Sequence, residues 1–123
     1  MSKRDRPLGQ PQLRVIGGDW RGRKLSFPSK GSLRPTTDRV RETLFNWLAP
    51  IVVEAQCLDL CAGSGALGIE ALSRGAQRCD FVDTDQQAID AIEKNLRSLG
   101  ATERATLRTC QADTVLTGGS QWD

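Results

Sequence analysis

The run Leu58-Asp59-Leu60-Cys61-Ala62-Gly63-Ser64-Gly65-Ala66-Leu67-Gly68 constrains this chain more than any other feature. It sets a G-x-G-x-x-G pattern between a short apolar segment and a stretch without glycine or proline, the order strand, tight turn, helix. Residues 57–60 read as the strand, and the helix runs from Gly65 to Arg74 and stops at Gly75. The alternation then repeats. Cys79-Asp80-Phe81-Val82 is a second strand, and Gln86 to Leu99 a second helix with Ile89, Ile92, Leu96 and Leu99 on one face and Gly100 as its stop. Ala105 to Cys110 is a third strand. The order βαβαβ predicts a parallel sheet joined by right-handed crossovers, half of a Rossmann-like α/β fold.

In that context the glycine loop predicts a nucleotide-like ligand at the strand C-termini. Asp83 ends the second strand, where a carboxylate accepts hydrogen bonds from a ribose diol. Asp59 bears on the ligand type. A dinucleotide would set its pyrophosphate against this loop, and two like charges about 4 Å apart cost roughly 1–4 kcal/mol near a surface. S-adenosylmethionine carries a sulfonium and an ammonium instead, so Asp59 favours it over a dinucleotide. Gln111-Ala112-Asp113 follows the third strand. There Asp113 is placed to accept from an adenine amine while a nearby backbone N–H, at Ala112, meets a ring nitrogen. Blander readings stand beside these: glycines that serve only a tight turn, and an Asp113 that caps one.

The charge is uneven along the chain. Residues 1–48 hold 11 basic and 4 acidic side chains, whereas residues 49–123 hold 6 and 11. A basic front joined to an acidic body suggests a polyanion grip attached to a small-molecule module; a merely solubilising terminus is the alternative. Residues 1–12, with Pro7, Gly9 and Pro11, read as a disordered tail. Leu13-Arg14-Val15-Ile16 and Arg23-Lys24-Leu25-Ser26-Phe27 flank a Gly-rich turn and predict a β-hairpin. Its tip brings Arg21, Arg23 and Lys24 beside Trp20, cations for phosphates and a ring for base stacking. A Trp20 packed on the body is the ordinary alternative. A connector rich in Pro, Gly and Ser spans residues 28–36. Residues 37–48 read as a helix capped by Thr36 or Thr37, with Val40, Leu44, Trp47 and Leu48 as its apolar face and Pro50 as its end.

Some classes are excluded outright. The chain contains no histidine, which removes histidine-based catalysis and metal ligation. Cys57, Cys61, Cys79 and Cys110 form no C-x-x-C pair, so neither a zinc site nor a disulfide framework is expected; Cys57, Cys79 and Cys110 read as small buried hydrophobes. No apolar run is long enough to span a bilayer, and the polar N-terminus lacks a signal-peptide core. The expected compartment is the cytoplasm.

The run Arg34-Pro35-Thr36-Thr37-Asp38-Arg39-Val40-Arg41-Glu42-Thr43-Leu44-Phe45-Asn46-Trp47-Leu48, followed by the glycine loop, resembles the bacterial 16S rRNA guanine-N2 methyltransferase family, RsmD type. The hairpin from Arg14 to Leu25 is similar to that family's N-terminal extension. The resemblance covers about residues 13–113 and implies a Rossmann-like S-adenosylmethionine-dependent methyltransferase fold, of which only the first strands are present. It implies methylation of a guanine exocyclic amine in 16S rRNA, free or in an assembling 30S subunit, by an enzyme that is monomeric when full length, with no metal and no membrane. Asp59, Gly63 and Gly65 would face the methionine end, Asp83 the ribose, and Ala112 and Asp113 the adenine. The segment from Arg34 to Arg41 would line the pocket, with Arg34 and Thr36 as contacts. Arg14, Trp20, Arg21, Arg23 and Lys24 would hold RNA.

One departure matters. The family's catalytic Asp/Asn-Pro-Pro-Phe/Tyr motif is absent, since no Pro-Pro pair occurs anywhere in the sequence. That motif orients the weakly nucleophilic amine and stacks on the flipped base. The first strand, expected to be central and paired on both sides, would also stand at an exposed edge. The expectation is therefore an N-terminal portion: a hairpin and connector over residues 13–33, and a methyltransferase domain over residues 34–123 that stops before its fourth strand, inactive alone. A non-catalytic RNA-binding module and a nicotinamide dinucleotide-binding domain are the alternatives.

Overall fold

A computed structural model describes residues 12–27, 37–60, 62–111 and 114. Of the tail expected over residues 1–12, residues 1–11 lie outside the described residues, as do the connector, Arg34, Thr36, Cys61, Ala112 and Asp113, whereas Gln12 belongs to a strand, paired with Ser26. Strands β1 (Gln12–Arg14) and β2 (Lys24–Ser26) pair antiparallel, with Leu13 opposite Leu25. Between them, residues 18–20 form a short 3-10 turn. Helix α1 (Asp38–Val52) follows, then β3 (Gln56–Leu60), α2 (Ala66–Ser73), β4 (Arg78–Asp83), α3 (Gln86–Leu99) and β5 (Ala105–Thr109).

Among the described residues the second sheet is parallel in the order β3-β4-β5, with Cys57 opposite Cys79 and Asp83 opposite Thr109. Both crossovers step in the same direction, so right-handedness puts α2 and α3 on one face. Cys79 and Phe81 point to that face and are fully buried. Every residue of α2 except Leu67 is buried, because the helix is covered by the sheet on one side and by the hairpin and α1 on the other. The near-continuous apolar sequence of α2 follows from that position.

The βαβαβ reading holds, with α3 at the expected limits. Gly100 takes a left-handed φ of 71° and lets its N–H meet the carbonyls of Leu96 and Arg97. The reading of α1 is corrected in two respects. The helix does not end before Pro50 but runs through it to Val52. Asn46 and Pro50 both lie on the exposed side, so the carbonyl that Pro50 cannot satisfy meets water, while burial of Val52 holds the last turn. The packed face is also rotated from the expected one. Phe45 and Val52 are buried and Leu44 and Leu48 half-buried, but Val40 and Trp47 are 52% and 75% exposed. What displaces the stripe is Arg41, 1% exposed, which sits among these apolar residues because it is fully paired.

That pairing joins the hairpin to the body. Glu70 of α2 is buried, and its two oxygens accept four donors: Ile16 N–H at 3.0 Å and Arg41 Nη1 at 3.2 Å on one, Gly17 N–H at 2.9 Å and Arg74 Nε at 2.7 Å on the other. Arg41 also donates to the Arg14 carbonyl at 2.8 Å and to Asp38 at 2.6 Å. Ser73 adds a hydroxyl that donates to the Gly17 carbonyl at 2.6 Å and accepts the Trp20 N–H at 3.0 Å. A single carboxylate in the apolar run Gly68-Ile69-Glu70-Ala71-Leu72 is the sequence signal of this dock, with Arg74 one turn on as a legible partner; its partners on the hairpin and α1, 29 to 54 residues away, are not legible there.

Candidate cofactor loop and basic hairpin

The C-terminal ends of β3, β4 and β5 lie together, and the loop after β3 folds over them. Ala62 N–H donates to the Val82 carbonyl at 2.8 Å, which draws the loop onto β4. Gly63 has φ 58°, and its N–H donates to Asp83 Oδ2 at 2.9 Å. The other oxygen of Asp83 accepts the Asp85 N–H at 2.8 Å. Asp83 is thus clamped between the loop and the start of α3, and a carboxylate with about four acceptor sites keeps capacity for further donors. Cys110 N–H on the Asp83 carbonyl, at 3.0 Å, brings the end of β5 to the same place.

Two of the three glycines are required by packing. Gly65, with φ 81°, caps α2, and a Cβ there would stand 3.0 Å from Ile92 Cγ1 and 3.3 Å from Ile69 Cδ1. Gly68 lets α2 lie directly on β4: a Cβ would stand 2.3 Å from Phe81 Cε2 and 2.8 Å from Cys79 Sγ. The glycine spacing therefore answers first to the contact of helix with sheet, as the third glycine of this motif commonly does.

Asp59 stands apart from Asp83. Its Oδ2 accepts Gly68 N–H at 3.1 Å, in the first turn of α2, and its side chain lines an apolar cavity of about 240 Å³ with Leu44, Phe45, Leu48 and Leu67. Burial lifts its carboxyl from 3.8 to about 7; the Gly68 bond opposes the rise and the Asp83 charge adds to it. At neutral pH Asp59 is consequently only partly ionised. Asp83, rather than Asp59, is the carboxylate bonded to the bend of the loop. Residues 62–68 include no basic side chain. The bend thus carries the Asp83 carboxylate and no cation of its own, an acceptor suited to a ligand with a hydroxylated sugar and ill suited to a pyrophosphate.

The hairpin residues divide. Arg21, Arg23 and Lys24 are exposed. Arg14 is exposed and pairs with Asp38 at 3.3 Å. Trp20 is half-buried against the core, with the Arg104 guanidinium 5.6 Å from its ring centroid, so the ring has the place of an ordinary hairpin residue packed on the body. Arg41, which the resemblance put along the cofactor pocket, is instead consumed by Glu70, Asp38 and the Arg14 carbonyl. Cys79 is buried and its thiol pKa is raised, chiefly by burial, while Cys57 and Cys110 are half-buried; all three are free thiols. No described helix is long and apolar enough to cross a membrane.

The chain is 58% identical over 99 residues to ribosomal RNA small subunit methyltransferase D of Escherichia coli strain K12, covering 80% of this chain and 50% of that protein. It is 48% identical over 99 residues to the protein of the same name from Haemophilus influenzae, covering 80% and 51%. The chain spans about half the length of the curated relatives it matches. Among solved structures it superimposes on the Escherichia coli yhhF protein with a TM-score of 0.80 at 51% identity, over 87% of this chain and 57% of that one. It also superimposes on the Thermus thermophilus 16S rRNA N2 methyltransferase RsmC, solved with AdoMet and guanosine, with a TM-score of 0.69 at 25% identity, over 96% and 33%. The fold is accordingly the first part of a Rossmann-like methyltransferase fold carrying an N-terminal hairpin. The model of the family described as conserved hypothetical protein 95, the family of the RsmD methyltransferases, matches residues 13–121, and the chain belongs to that family.

Proposed function

We propose that this chain supplies the cofactor-holding half and the RNA-gripping extension of a cytoplasmic methyltransferase that acts on a guanine exocyclic amine of 16S rRNA. The observation that carries the cofactor assignment is the Asp83 clamp: a carboxylate tied to the glycine loop at the ends of three parallel strands, in a loop without a cation. S-adenosylmethionine, when bound, supplies an electrophilic methyl group on sulfur. The residues of this chain hold and orient it. Asp83 accepts from the ribose hydroxyls, Gly63 and Gly65 give the bend that lets backbone approach the methionine portion, and Asp59 supports the first turn of α2 behind them. Arg34, Thr36, Ala112 and Asp113 complete the pocket in this reading. The rRNA substrate is assigned from the basic front end together with the relatives' names. Groups that orient the guanine amine are not among these 123 residues, which contain no Pro-Pro pair, so turnover belongs to the whole protein.

Calorimetric titration of the chain to millimolar S-adenosylmethionine, with NADH run in parallel, tests the assignment. Heat with S-adenosylmethionine that is lost in Asp83→Ala is expected. Tighter binding of NADH, or S-adenosylmethionine binding indifferent to Asp83→Ala, overturns it.

A further inference from the structure

We propose that the cleft between β2 and α3 is a phosphate subsite for the RNA backbone, served by Lys24 from the hairpin and Lys94 from α3. The inference deepens the reading above and rests on its rRNA substrate. The cleft holds about 310 Å³ and is lined by Lys24, Ser26 and buried Phe27 on one side, and by Ala91, Lys94 and Ser98 on the other. Asn95, whose side-chain amide donates to the Ser26 carbonyl at 2.9 Å, ties the two walls together. Both lysines are exposed, and they reach one cleft from segments about 70 residues apart. Among the described residues no carboxylate lines it. The carboxylates of α3 nearest in sequence are engaged elsewhere: Asp90 accepts from Gln86 at 2.7 Å and Glu93 pairs with Arg97 at 3.2 Å.

The surroundings favour a polyanion over a small isolated anion. Arg23 bridges to the Ser98 carbonyl at 3.4 Å and to its hydroxyl at 3.3 Å, so a third cation sits where the hairpin crosses α3. Lys24 of the hairpin and Lys94 of the α/β body thus share one cleft, with Arg23 beside it on Ser98. Two ammonium groups and a hydroxyl offer point donors to the non-bridging oxygens of successive phosphates, and such contacts set affinity and register without reading sequence. Lys94 carries no signal in the sequence, where it reads as an ordinary solvated position of an amphipathic helix.

The test measures binding of in vitro transcribed 16S rRNA to the full chain between 50 and 200 mM salt, for wild type, Lys94→Gln and Arg78→Gln. Arg78 lies at the start of β4, at the end of the sheet opposite the loop, and its variant removes the same unit of charge. Losing one phosphate contact lowers the slope of log K against log salt by about 0.7–0.9, which at 0.1 M is about a 6-fold loss of affinity. Lys94→Gln is expected to show both effects and Arg78→Gln neither, with S-adenosylmethionine heats equal in all three. If Lys94→Gln matches Arg78→Gln while wild type binds rRNA, the subsite is wrong and the functional reading stands. If wild type binds S-adenosylmethionine but no rRNA, the RNA reading and the subsite both fall.

Discussion

Glu70→Gln removes one charge from the centre of the fold at almost constant shape, and its cost follows from the four donors around the carboxylate. In the native protein Ile16 N–H and Arg41 share one oxygen, and Gly17 N–H and Arg74 share the other. A glutamine offers one oxygen and one NH₂ group. Whichever way it lies, one backbone N–H and one arginine face a nitrogen that is itself a donor. Two buried hydrogen bonds are lost at about 1–3 kcal/mol each. Among the described residues, Arg41, at 1% exposure, keeps Asp38 as a counter-charge. Removing one partner of a buried pair costs about 3–5 kcal/mol, which agrees with the bond count and is a large part of the roughly 5–15 kcal/mol that holds a domain together. Urea unfolding followed by tryptophan fluorescence is the assay, with Trp47 and Trp122 replaced by Phe in both proteins, because urea leaves ion pairs unscreened and Trp20 then alone reports the docked hairpin. With a slope of about 1–3 kcal/mol per molar, the midpoint is expected to fall by about 2 M, with a red-shifted native spectrum as the hairpin loosens. A loss below about 1 kcal/mol with an unchanged spectrum would show that Glu70 is not the tie between extension and body.

Three further expectations concern the loop and the helices. Asp59 titrates at about 7 when folded and near 3.8 when unfolded; between those values the folded state binds the extra proton, so stability falls as pH rises from about 4 to 7 and is level above. That loss amounts to about 4 kcal/mol, and Asp59→Asn, which keeps an acceptor for Gly68 N–H, should lack it; urea midpoints for both proteins at pH 4.5, 6 and 7.5 must diverge with pH, and parallel curves would contradict the burial argument. Gly68→Ala drives a methyl into the Phe81 ring and is expected to destabilise by about 1–3 kcal/mol through overpacking; a thermal midpoint equal to wild type would mean that α2 does not rest on β4 as described. Trp47→Ser on the exposed side of α1 should stay within about 0.5 kcal/mol of wild type, whereas Phe45→Ala on the buried side should cost about 3–5 kcal/mol; the reverse order in a urea series would restore the face expected from periodicity.

Much of the α/β core was legible because its signals are local. The apolar segments before and after the glycine loop, the moment of α3 and the glycine after it each depend on residues within a few positions, and the strand-helix alternation then leaves one handed topology. Asp83 was legible for the same reason: it ends a strand, and the neighbouring strand end in a parallel sheet is where the loop must lie. The composition of the front end marked the hairpin as basic.

Only the tertiary structure decided which side of α1 is core, since an arginine breaks the apolar stripe and is buried by partners on β1 and α2 that no period reveals. It likewise decided that Glu70 is the anchor of the hairpin, that Trp20 packs inward beneath Arg104, and that Asp59 bonds to the helix rather than to the bend. These are properties of charge and ring placement across long sequence separations. Burial sets the cost of an unpaired charge, and burial exists only once the layers have met.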